Sequence, residues 1–142
     1  METTATLPLM ERVLFFRRVP LLADLAPADL YQVAALADEV AFAEGDLLAE
    51  QGELGEEMFI IVSGEVGVQV SGAEVARRQP GDVVGEMALL SREPRMAALV
   101  ACGEVRVLCV DRQSFEGLLR ERPETSLAVM RVLCQRLKEA TK

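Results

Sequence analysis

From Glu39 to Asp111 turn residues cut the chain into short apolar segments, at intervals of about 8 to 12 positions. That spacing leaves little room for helices and predicts a β-sandwich or barrel. Val40–Phe42 runs into Glu44-Gly45-Asp46, Leu47–Ala49 into Gln51-Gly52, and Met58–Val62 into Ser63-Gly64. Val66, Val68 and Val70 alternate strictly and stop at Ser71-Gly72. Val75–Arg78 meets Pro80-Gly81-Asp82, and two further strands, Met96–Ala101 and Val105–Val110, join near Cys102-Gly103. About eight strands suit a β jelly roll, a double-stranded β-helix.

Helices are expected on both flanks. Residues 1–8 read as a flexible tail and 9–142 as a single domain, with helices over about 9–38, the β-roll over 39–111 and two C-terminal helices over about 112–140. Leu9 to Arg18 carries Met10, Val13, Leu14 and Phe16 among charged residues, an amphipathic pattern. Pro27 suits a first helical turn, although Ala26 before it is a poor N-cap. Asp111 is placed to cap the helix that follows the last strand. In the final helix Leu127, Met130, Leu133, Cys134 and Leu137 recur three or four apart, as one apolar stripe. That stripe can pack on the barrel, meet its twin in a homodimer, or act as a lid over a bound ligand.

One stretch asks for more than scaffolding: PGDVVGEMALLSREPRMAA, Pro80 to Ala98. Gly85-Glu86 opens a run, Met87 to Leu90, long enough for one or two helical turns. Amides at the start of such a turn lack intrahelical partners and favour an anion. Arg95, beyond a short loop, can close on the same anion with a guanidinium fork. Glu86 would be repelled by that anion unless it faces a hydroxyl. A phosphate beside a sugar hydroxyl meets both demands. A surface Glu86–Arg95 salt bridge is the plainer reading, worth at most about 1 kcal/mol.

GEMALLSREPRMAA resembles the phosphate-binding cassette of cyclic nucleotide-binding domains, which reads roughly F-G-E-[LM]-A-L, a short loop, then P-R-[AST]-A. Gly85, Glu86, Met87, Ala88 and Leu89 match in order, as do Pro94, Arg95 and Ala97. The likeness extends through Gly45-Asp46, Gly52, MFIIVSG and Pro80-Gly81-Asp82. It implies a non-catalytic regulatory or sensor domain whose ligand is cAMP, with cGMP also in view. It further implies that Arg95 pairs with the cyclic phosphate and Glu86 accepts from the ribose 2′-hydroxyl. Amides near Met87, Ala88 and Ala97 would complete the anion site, with Gly85 and Met96 in contact with ligand. Two positions depart from the pattern: Val84 replaces an aromatic, and Met96 replaces a small or hydroxyl residue. Met96 offers a guanine amino group no partner, so adenine is expected to be preferred. The competing reading is a ligand-free dimerisation or interaction module of the same fold.

Composition bounds the rest. There is no histidine, which removes Ser-His-Asp and Cys-His catalysis and His-based metal sites, and no enzyme activity or cofactor is expected. Three cysteines, Cys102, Cys109 and Cys134, form no CxxC pair; they are expected as small buried residues, with a Cys102–Cys109 bridge as the alternative. The net charge of −8 shows no basic stripe, so nucleic acid is not an expected partner, and the chain stops about where a DNA-binding helix-turn-helix would begin in a catabolite-activator-like regulator. No apolar run approaches membrane-helix length and no signal peptide opens the chain, so a cytoplasmic location is expected. The domain stands alone or is a regulatory part of a larger protein.

Overall fold

The computed structural model describes residues 2–4, 7–19, 22–23, 25–85 and 91–140. Seven strands form one antiparallel sheet: β1 (Glu2–Thr4), β2 (Asp38–Phe42), β3 (Leu47–Ala49), β4 (Glu57–Val70), β5 (Ala73–Arg78), β6 (Val83–Val84) and β7 (Ala98–Asp111). Helices α1 (Leu9–Phe16) and α2 (Pro27–Leu36) precede β2, and α3 (Arg112–Glu121) and α4 (Pro123–Ala140) follow β7. The order along the sheet is β1-β2-β7-β4-β5, with β3 beside β7 and β6 beside β4.

Among the described residues the strands divide differently from the expected eight: two apparent turns do not break their strands, while Glu2–Thr4 and Val83–Val84 pair as short strands of their own. Met58–Val62 and Val66–Val70 are halves of β4, and Val105–Val110 continues the strand that begins at Ala98. Gly64 and Gly103 both sit at positive φ, +86° and +84°, so they bend the ladder. The β4–β7 register shifts on either side of Ser63, and a Cβ on Gly64 would collide with the Glu104 carbonyl oxygen. These are bulges, which inflect a strand and leave its partner in place. The expected tail also gives way in part: Glu2–Thr4 pairs antiparallel with β2, whose outer edge is open to a strand carrying two threonines.

Two cores result. Met58, Ile60, Leu108 and Val110 face the helices and pack with Phe16, Leu30, Val33 and Phe115. Phe59, Ile61, Val107 and Cys109 point the other way, with Phe42, Val66 and Val105. The first half of β4 is therefore covered on both faces, which is why MFII reads as a continuous apolar run.

The helix boundaries follow their end signals. Ala26 supplies no side-chain cap, and Pro27 opens α2. The Asp111 carboxylate accepts from the Ser114 amide at 2.8 Å and caps α3. The final helix does not turn its apolar stripe to the barrel. Leu127, Met130, Cys134 and Leu137 are exposed, whereas Thr125 and Val129 are buried and Leu133 is half-buried. Thr125 turns inward because its hydroxyl donates to Asp29 of α2, which also accepts from Arg122 at 3.2 Å. A buried carboxylate needs such partners.

Candidate functional site

The Pro80-Gly81-Asp82 turn delivers the chain to the site. Gly81 donates its amide to Ile61 O at 2.8 Å, and Ile61 donates to Asp82 O at 3.0 Å, locking the turn to β4. Val83 and Val84 then pair with Ile60 and Phe59, and Gly85 follows at φ +81°.

Arg95 reaches the same place from the other side. Its backbone is held by the Gln51–Leu54 loop: the Gly52 amide donates to Arg95 O and the Arg95 amide to Glu53 O, both at 2.8 Å. The guanidinium donates from Nη2 to Glu57 O at 2.8 Å, and its Cζ lies 5.8 Å from the Phe59 ring centroid. Burial pushes the Arg95 guanidinium below its ordinary value, while the Glu53 and Glu57 carboxylates pull it back up. It remains charged at any physiological pH.

A cavity of about 340 Å³ opens here. Gly85, Ser91, Pro94, Arg95 and Ala97 supply one part of its lining. Val68, Val83, Val84 and Leu99 supply an apolar part, and Met96, Glu93 and Arg78 also line it. A guanidinium beside an apolar wall suits a ligand with an anionic group and a flat, weakly polar body.

Of the expected site residues, Gly85, Arg95, Met96 and Ala97 come together around this cavity. Glu86, Met87 and Ala88, and the short helix expected there, lie outside the described residues. Met96 lines the cavity, yet it is 87% exposed. Among the described residues no side chain of α3 or α4 lines the cavity, so the expected lid is not part of this arrangement.

Sequence reading overlooked the support behind the site. Arg112, only 5% exposed, donates to Gly55 O, to Ser91 O at 3.0 Å and to Glu56 at 3.4 Å. It ties the start of α3 to the loop before β4 and to Ser91 within the cassette. The one hint was an arginine directly after a capping aspartate. Glu57 acts twice: its carbonyl receives Arg95, and its carboxylate accepts from the Cys109 thiol at 3.0 Å. Burial first, and Glu57 second, push the Cys109 thiol up. Cys102, Cys109 and Cys134 are all free thiols, so no Cys102–Cys109 bridge forms; Cys109 is buried, Cys102 half-buried and Cys134 exposed. Cys134 departs from expectation because its helix face turns outward.

The profile of the cyclic nucleotide-binding domain family matches residues 39–122, more than half of the chain. A cAMP-dependent protein kinase regulatory subunit from Blastocladiella emersonii is 34% identical over 110 residues, covering 74% of this chain and 27% of that protein. One from Emericella nidulans is 35% identical over 107 residues, covering 74% of this chain and 26% of that protein. The chain thus spans about a quarter of the length of these relatives. Among solved structures, the N-terminal domain of a transcriptional regulator from Streptomyces coelicolor A3(2) superposes with a TM-score of 0.81 at 30% identity, covering 89% of this chain and 92% of that one. The regulatory domain of Toxoplasma gondii PKA, crystallised with cAMP, superposes with a TM-score of 0.75 at 28% identity, covering 92% of this chain and 50% of that one. No described helix is long and apolar enough to cross a membrane. With the glycine, the arginine and the apolar wall assembled around one cavity, the chain belongs to the cyclic nucleotide-binding domain family.

Proposed function

We propose that the chain is a non-catalytic cyclic nucleotide sensor, a regulatory unit acting within or beside a larger cytoplasmic protein, with cAMP as its first ligand and cGMP as a second. The observation that carries this reading is Arg95: a half-buried guanidinium on a 340 Å³ cavity, braced by Glu57 O and the Phe59 ring. An arginine costs free energy to desolvate, and an anion in the cavity offsets that cost. The cyclic phosphate sits on Arg95 and on amides near Gly85, Met87, Ala88 and Ala97. Glu86 accepts from the ribose 2′-hydroxyl, and Met96 borders the mouth. The bent β4 and β7 are read as the strands of a jelly roll.

Calorimetry with cAMP tests it. The parent chain binds, and Arg95→Ala loses about 30-fold or more, the lower end for removing one partner of a desolvated charge pair. Undiminished binding by Arg95→Ala places the anion elsewhere, and no heat at millimolar cAMP with the parent rejects the sensor reading.

A second reading rests on α4. Leu127, Met130, Cys134 and Leu137 are exposed at alternating spacings of three and four residues, the spacing of a coiled-coil seam. A homodimer through this helix would cover them, and it is compatible with ligand binding. Sedimentation of the parent and of Leu127→Glu/Met130→Glu distinguishes the cases: a dimer that the double substitution dissociates supports the seam, and a monomeric parent removes it.

A further inference from the structure

Met96 is the most exposed large apolar side chain among the described residues, and it lines the cavity. The apolar lining around it is drier: Val84 and Leu99 are buried, and Val68 and Val83 are half-buried. Among the described lining residues only Met96 carries sulfur, the atom that peroxide oxidises. Along the chain it stands between Arg95 and Ala97, which hold the anion in the reading above. Arg95 gives Nη2 to Glu57 O, and its Nη1 stands beside Gly85. The other described methionines are placed differently. Met58 is fully buried, and Met10 and Met130 are exposed on α1 and α4, neither of which lines the cavity.

We propose that Met96 is an oxidation site through which hydrogen peroxide lowers the affinity of the cavity for its anionic ligand. This rests on the cyclic nucleotide reading above. The thioether sulfur attacks one oxygen of the peroxide. An S–O bond forms, the O–O bond breaks, and the leaving hydroxide takes the proton of the transferred oxygen and departs as water. Sulfur is oxidised by two electrons and the peroxide is reduced by two. Exposure lets the oxidant reach Met96 without any opening of the fold. The thioether is a weak acceptor, so it leaves the donors of Arg95 to the ligand. The sulfoxide is polar, and its oxygen accepts but cannot donate. At this position it competes with the cyclic phosphate for the guanidinium, and it presents a like partial charge to the phosphate oxygens. Both nucleotides carry the same phosphate, so cAMP and cGMP lose affinity together. Methionine sulfoxide reductases restore the thioether, which makes the change reversible.

The test treats the full chain with hydrogen peroxide and then with a thiol reductant, which returns disulfides and sulfenic acids to thiols and leaves methionine sulfoxide in place. Peptide mass mapping locates the added oxygen, and calorimetry with cAMP reads the affinity. The parent and Met96→Leu, which keeps the volume and removes the sulfur, are each compared with their own untreated samples. Mapping is expected to find the parent oxidised at Met96, with cAMP binding weakened about three- to tenfold, the worth of one hydrogen bond. Treatment is expected to change Met96→Leu by less than about twofold, although Met10 and Met130 are oxidised in it as well. A parent oxidised at Met96 that binds as before overturns the inference. So does an equal loss in treated Met96→Leu, which assigns the effect to another residue, or a Met96 that stays reduced while Met10 and Met130 are converted. In these cases the sensor function still stands. An untreated parent that binds no cyclic nucleotide overturns that function and this inference with it.

Discussion

Nη1 of Arg95 lies 2.7 Å from the point where a Cβ on residue 85 would stand, so the glycine leaves the room that the arginine needs. Gly85 is also at φ +81°, a conformation costly for any side chain. Gly85→Ala is therefore expected to act twice. It destabilises the fold by about 1–2 kcal/mol from the backbone alone, and it displaces the guanidinium. A binding titration reads the second effect as a loss of at least about tenfold in cyclic nucleotide affinity. A variant that melts lower but binds like the parent would show that Arg95 adapts without cost.

Arg112 is expected to matter for both stability and ligand. Arg112→Leu removes charged donors from Gly55 O and Ser91 O and costs about 2–3 kcal/mol in denaturant unfolding. The contact with Glu56, itself 59% exposed, adds little. Nucleotide affinity falls as well, because Ser91 lies within the cassette and lines the cavity. Unchanged unfolding would mean that the neighbouring backbone is held without Arg112.

Asp29 and Thr125 couple α2 to α4. Each single substitution, Asp29→Ala and Thr125→Val, strips a partner from a buried polar group. A double-mutant cycle on unfolding free energy is expected to return a coupling of about 1 kcal/mol or more. Additive effects would mean that the two residues act independently.

The Cys109 thiol gives a pH dependence with a definite sign. Its folded pKa is raised by burial and by Glu57, so the fold favours the protonated thiol. Stability from this group is complete below the ordinary thiol value, about 8.5, and declines as the pH rises past it. The slope is at most about 1.4 kcal/mol per pH unit for one proton. Thermal melts between pH 8 and 10.5 should show the decline, and Cys109→Ala should flatten it. An identical slope in the variant would assign the loss to other groups.

Much of this protein was legible in the order of its residues. Periodicity and turn residues placed the strands and helices, because each is set by local sterics and by which faces must be dry. The glycine, proline and arginine of the cassette marked the cavity that they line, because their backbone and charge requirements are local too. Three outcomes were decided only by tertiary structure. Gly64 and Gly103 became bends within continuous strands, since β4 and β7 go on pairing through them. The face of α4 that is buried was set by Thr125, whose hydroxyl answers Asp29 ninety-six positions away. Arg78 entered the cavity through a cross-strand pairing with Val66. A sequence shows what each residue prefers against its chain neighbours. Which distant donor meets which distant acceptor depends on the fold bringing them within hydrogen-bonding distance, and no local pattern records that.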